Sequence, residues 1–286
     1  MALTINTNVS SLIVQKNLSK ATNQLNNSIE RMTTGYKINH ASDNAAGYSI
    51  AKNWEAKISS LDVAADNAAT ASDMLATLED NCTLISSHVQ RVRDLTEQAA
   101  NGTYGTASLK AIESEITARL QEVDRIAANC EFNGIYMMNG SIQADTAVQV
   151  GTEGTPSKSQ INLSRTLFAN GNTESILGDS IANIAKKCAN LDNSTTAAGM
   201  LSTVDNAIKA ISDRVTTLGA AQNRIESAIE SISVQSENIT SSLSTLRDAD
   251  IADESSNYIK AQILQQASAT LLATANQSPS IALNLL

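Results

Sequence analysis

Residues 201–246 read LSTVDNAIKAISDRVTTLGAAQNRIESAIESISVQSENITSSLSTL, and their spacing decides the fold class. Leu201, Val204, Ile208, Ile211, Val215, Leu218, Gln222, Ile225, Ile229, Ile232, Ser236, Ile239, Leu243 and Leu246 step by three and four without a slip. Only Gln222 and Ser236 interrupt the apolar series. A strand would alternate with period two, whereas this period predicts a long helix with a coiled-coil-like seam. Gly219 lies within it, a local weak point that also permits close approach of a neighbouring helix.

Upstream, a second seam runs through Ile58, Leu61, Ala65, Ala68, Ala71, Leu75, Leu78, Cys82, Ile85, Val89 and Val92, with one irregular step from Ala68 to Ala71. A break at Asn101–Gly105 follows, and then Leu109, Ile112, Ile116, Leu120, Val123 and Ile126 share a third helical face. Three amphipathic helices with matching seams predict a mainly α fold, a long helical bundle formed by both halves of the chain. The middle changes period. Two Asn-Gly dipeptides signal tight turns, and AVQVG and QINLS alternate, so 132–165 reads as a hairpin-like β element packed beside the bundle. Residues 166–198 read as short helix and loop.

Both ends of the chain are nearly free of charge. Residues 261–286 carry no Asp, Glu, Lys or Arg, and before Glu30 the only charged side chains are Lys16 and Lys20. Leu18, Thr22, Leu25, Ile29 and Met32 keep a helical rhythm, with Ile5, Val9 and Leu12 in a shifted register. The tail is too interrupted by Gln, Ser, Thr and Asn to span a bilayer. Neither end has enough large apolar side chains to offset the entropy of ordering it alone. Both are expected to be disordered in the free subunit and to pair on assembly.

Composition excludes several classes. Over 286 residues the formal charge is −9 and aromatics are 3%, so there is no basic stripe for nucleic acid and little material for a ring-built enzyme core. The cysteines, Cys82, Cys130 and Cys188, are odd in number and far apart, which suits small buried thiols better than a metal site or disulfide framework. The two histidines, His40 and His88, stand in no zinc-binding pattern; His40, in the turn, is expected to be exposed or at an interface, and His88 on a helix surface. No nucleophile–base pair or phosphate loop is present, so no catalytic residue, metal ligand or cofactor is expected. RMTTGYKINHASDNAAG reads as a helix stop and restart: Gly35 as the residue ending one helix, Ser42 as the cap of the next, Asp43 complementing its dipole. Arg93 and Glu97 are spaced for an i,i+4 ion pair within VQRVRDLTEQ.

INTNVSSL at 5–12, the stretches 30–58 and 89–103, EFNGIYMMNGS at 131–141, LGAAQNRIESAI at 218–229 and the whole of 246–286 together resemble bacterial flagellins, in family order. The form is a short one lacking hypervariable outer domains. Departures include Thr-Thr in RMTTG and Pro279-Ser280 near the end. The resemblance implies a non-enzymatic structural subunit that self-assembles into the extracellular flagellar filament for motility. It implies an inner, channel-lining helical domain from 1–42 and 249–286. An outer helical domain comes from 43–165 and 199–248, and 166–198 is a short variable connection. Lacking an N-terminal segment with signal-peptide order, the chain is expected to leave through the flagellar type III apparatus. Implied partners are other flagellin subunits, an export chaperone on the C-terminal segment, and the filament cap and hook-associated junction proteins. The resemblance also implies the flagellin-recognising Toll-like receptor of innate immunity, with Gln90, Arg91, Arg93, Leu95, Gln98, Glu115 and Arg119 on a face shared with inter-subunit contacts. A hook–filament junction protein and an unrelated coiled-coil binding module are the alternatives.

Overall fold

The computed structural model describes residues 8–192 and 196–283, the side chains of 278–283 excepted. Ile5 and the closing Leu285-Leu286 lie outside the described residues. Among the described residues eight α-helices and two small antiparallel sheets follow in the order α1 (Val9–Thr34), α2 (Ala45–Ala100), α3 (Thr106–Asn129), β1 (Glu131–Phe132), β2 (Ile135–Tyr136), β3 (Thr146–Gln149), α4 (Pro156–Ser159), β4 (Gln160–Leu163), a 3-10 turn (Arg165–Phe168), α5 (Thr173–Leu177), α6 (Ile181–Cys188), α7 (Ala197–Arg247) and α8 (Ile251–Leu283). The expected helical bundle with a small β element is what forms. Two compact units divide the chain, one from residues 1–58 and 237–286, the other from 59–236.

In the second unit the core is a continuous apolar cluster shared by α2, α3, α7 and the short elements. On α7, Val204, Ile211, Leu218, Ile225 and Ile232 are buried, and the other seam residues are half-buried. Met200, Ala207 and Ala221 are buried as well, so the inward stripe is wider than a two-position seam. The physical reason is that α7 packs among several neighbours rather than one. Gly219 does not mark a close approach: a Cβ there would meet open space. On α2 the buried stripe runs Leu61, Ala64, Ala68, Ala71, Leu75, Leu78, Cys82, Ile85, Val89 and Val92. Ala64 replaces the expected Ala65, and the irregular step moves up to Ile58–Leu61–Ala64. Two alanines side by side give no signal of which turns inward.

The middle forms two hairpins rather than one. Asn133 and Gly134 both have positive φ (50° and 80°), the backbone of a two-residue turn whose twist matches its strands, and they join β1 to β2. Strands β3 and β4 pair with Val148 opposite Ile161, and both side chains enter the core. All three cysteines are free and buried, as expected of packing thiols. His88 departs from its expected surface position: it is half-buried, and its Nδ1 is buried with no hydrogen-bond partner among the described residues. It falls beside the Ile85–Val89 stripe of α2, and the stripe draws it partly inward.

Candidate functional site

In the first unit α1 lies along α8, and the faces in contact are unusual. Along α1 the inward positions are Ser11, Val14, Leu18, Ala21, Leu25, Ser28 and Met32; along α8 they are Glu254, Tyr258, Ala261, Gln265, Ser268, Leu272 and Ala275. Many are small or polar, and hydrogen bonds supplement the packing. Asn8 caps α1 by accepting from Ser11 N (3.1 Å) while its Nδ2 donates to Ala275 O (2.7 Å). Gln265 donates to Thr22 Oγ1 (3.2 Å), and Arg31 donates to Glu254 (3.0 Å), whose residue is 8% exposed. Val14, Leu18, Leu25, Met32 and Leu272 are among the inward residues, but most of the large aliphatics face the other way. Val9, Leu12, Ile13, Ile29, Ile251, Ile259, Ile263, Leu264 and Leu271 are all 44–60% exposed. Val9, Leu12 and Ile29, read as seam residues from their spacing, are therefore on the outer face. Ala21 and Ser28 take the inner positions because small residues let two helices approach closely.

The two chain segments leaving this pair are tied together. Gly35 ends α1 with φ 76°, a left-handed conformation that glycine adopts freely, and its N–H closes the last turn on Arg31 O (2.8 Å). Lys37 N donates to Arg247 O (2.7 Å) and Ala249 N to Gly35 O (2.8 Å), a short antiparallel bridge between Tyr36 and Asp248. Arg247 is its hub. Its guanidinium stacks over the Tyr36 ring at 4.0 Å, donates to Ile38 O (3.3 Å) and pairs with Glu55. A hydrogen bond from Lys52, with the charge of Arg247, holds the Glu55 carboxyl below the usual range. The cap of α2 is Asn44, not Ser42, since Asn44 Oδ1 accepts from Gly47 N (2.9 Å). Asp43 is spent on the turn itself: the backbone N–H groups of His40 and Asn39 donate to its carboxylate and lower its pKa. His40 is exposed and lies 2.8 Å from Glu30.

The charged face of α2 and α3 lies in the second unit. Arg91 donates to Glu115 (3.0 Å), and Arg119 reaches the same carboxylate at 3.8 Å. Arg93 pairs with Glu97 (3.2 Å) as its spacing predicts, and more closely with Asp205 of α7 (2.6 Å). Gln98 donates to the Tyr104 hydroxyl (2.9 Å), and Gln90 is exposed. Leu95 does not belong to this face. It is 2% exposed, in the core with Val92 and Ala99.

Residues 5–143 match the model of the bacterial flagellin N-terminal helical region, and 201–286 match that of the C-terminal helical region. The chain belongs to the bacterial flagellin family. It is 33% identical to the flagellin of Bacillus subtilis strain 168 over 303 residues, covering 99% of each chain. It is also 30% identical to the flagellar filament 33 kDa core protein of Treponema phagedenis, again over 99% of both chains. A solved structure assigned as a flagellar hook-associated protein of Vibrio parahaemolyticus shares the fold, with a TM-score of 0.60 at 14% identity, over 72% of this chain and all of that one. Flagellins are structural subunits of an extracellular filament and not enzymes. The features that matter in this flagellin are therefore faces and connections rather than reactive groups. Among the described residues no helix is long and apolar enough to cross a membrane.

Proposed function

We propose that this flagellin polymerises through the outward apolar face of the α1/α8 pair. The observation that carries the reading is the row of nine aliphatics left 44–60% exposed on the outside of that pair, while many of the residues that meet inside are small or polar. Exposed aliphatic faces mark interaction surfaces. In this reading 1–42 and 249–286 supply the inner, channel-lining layer and 43–165 with 199–248 the outer one, joined by the short connection 166–198. The free subunit keeps its terminal segments unfolded, leaves through the type III apparatus with a chaperone on the C-terminal segment, and meets the cap and junction proteins at the filament ends. The bridge centred on Arg247 makes the two connections bend as one, so that subunits adopt different protofilament states without separating them. Electron microscopy of purified protein seeded with filament fragments tests the reading: long helical filaments are expected, and protein that stays dispersed contradicts it.

A second reading rests on the exposed Arg91–Glu115–Arg119 cluster. We propose it as the contact with the flagellin-recognising Toll-like receptor, with Gln90, Arg93 and Gln98 around it; Leu95, turned into the core, makes no direct contact. Arg91→Ala monomer should bind the receptor at least tenfold more weakly while its helix content is unchanged, since arginine is a frequent interface anchor and an exposed ion pair adds little to folding. Wild-type affinity in the folded variant removes the site.

A further inference from the structure

Arg214 is out of place. It falls on the inward stripe of α7, four residues before Leu218 and three after Ile211, where every neighbouring turn carries an apolar side chain. Its guanidinium is half-buried and spends Nε (2.8 Å) and Nη2 (2.6 Å) on one acceptor, the carbonyl of Leu167 in the 3-10 turn. That contact pins the turn to the bundle but leaves three N–H groups without a hydrogen bond among the described residues. Among the described residues no carboxylate is paired with it. The ionisable groups whose charge would act on it are the thiols of Cys82 and Cys130, and burial pushes both thiols up and so keeps them neutral. A guanidinium remains protonated in proteins, so a positive charge stands here without a counter-ion, an arrangement that costs stability.

Beside it is a cavity of about 260 Å³. Ile85, Met138 and Ile211 give it apolar walls, and Asn170 and Ser175 stand at its polar side. An apolar cavity of about 150 Å³ is enough to hold a benzene ring. We propose that this cavity binds a small monocarboxylate with an apolar body, its carboxylate on Arg214 and its hydrocarbon against Ile85, Met138 and Ile211. A planar guanidinium fork matches a carboxylate. A phosphate would bring up to two negative charges to one arginine and leave the apolar walls unused. The site lies within the second unit and is independent of the polymerising face.

The test uses full-length monomer and benzoate, with benzyl alcohol and inorganic phosphate as comparisons, followed by calorimetry. Saturable one-to-one binding of benzoate is expected, at least about tenfold tighter than either comparison compound, a gap of about 1.4 kcal/mol. Because Cys82 lines the cavity, benzoate should also slow its modification by methyl methanethiosulfonate, read at Cys82 by peptide mass. Arg214→Met should weaken benzoate by a similar factor. If that variant misfolds, the wild-type comparison decides alone. Equal binding of benzyl alcohol would reduce the site to an apolar hole, and equal binding of phosphate to a cationic spot. Either result overturns the proposal, as does the absence of saturable benzoate binding up to about 10 mM.

Discussion

Replacing Ile263 by serine isolates the polymerising face. Ile263 is 60% exposed on α8 and points away from α1, so the pairing of α1 with α8 has little to lose from the change. Fully burying an isoleucine is worth about 1.5–3 kcal/mol, and the exposed share of Ile263 therefore represents roughly 1–2 kcal/mol still available to a partner. Serine forfeits that gain and adds a hydroxyl that must be desolvated in the contact. At about 1.4 kcal/mol per factor of ten, the critical concentration for polymerisation should rise five- to thirtyfold or more. Adding Leu12→Ser, at a residue 59% exposed on α1, should compound the effect. Seeded growth followed by light scattering gives the critical concentration, and thermal unfolding by circular dichroism gives monomer stability. The buried Leu75→Ala serves as the contrast, with a lowered melting temperature from a cavity costing about 2–5 kcal/mol. An unchanged critical concentration in the Ile263/Leu12 double variant would refute the assignment of this face.

Removing residues 1–30 or 265–286 should abolish polymerisation while the core of residues 59–236 stays helical by circular dichroism, since that core lies in the other compact unit; stable filaments from either truncation contradict the role of the pair. Arg247→Ala breaks the stack on Tyr36, the bond to Ile38 O and the pair with Glu55 together. Hydrogen exchange should then rise at both 35–38 and 247–249, and a rise at only one of them denies that the two connections move as one. Bonds from Lys187, Asn183 and Ser180 hold the Asp179 carboxyl at about 2, below its ordinary 3.8. A lowered folded-state pKa gives stabilisation that is present above pH 3.8 and lost as pH falls through about 2. The stability gap between wild type and Asp179→Asn should accordingly close over that window, and a gap that persists below it would show that charge is not its cause.

The helical seams were legible because large aliphatics recur at three and four with little competition. Which side chains of α1 turn toward α8 was not, since Ala21 and Ser28 carry no hydrophobic signal and Ile29 carries a false one. The place of Leu95 in its motif points to a surface, although Val89 and Val92 lie six and three residues before it and already put it on the buried stripe. Asn44 and Ser42 are both good caps, and only the turn geometry, with Asp43 engaged by Asn39 and His40, decides between them. The partners of Arg247 at Tyr36 and Glu55 are about 200 residues away, and no local pattern announces them. Arg214 was detectable: a charge at the third place in Ala207, Ile211, Arg214, Leu218 breaks the stripe in plain view.

The most direct measurement is a cryo-electron microscopy reconstruction of filaments grown from this subunit. Leu12, Ile13, Ile259, Ile263 and Leu271 are expected to be buried against neighbouring subunits, with the α1/α8 pairing retained inside each one. Filaments in which these five side chains still face solvent would contradict it.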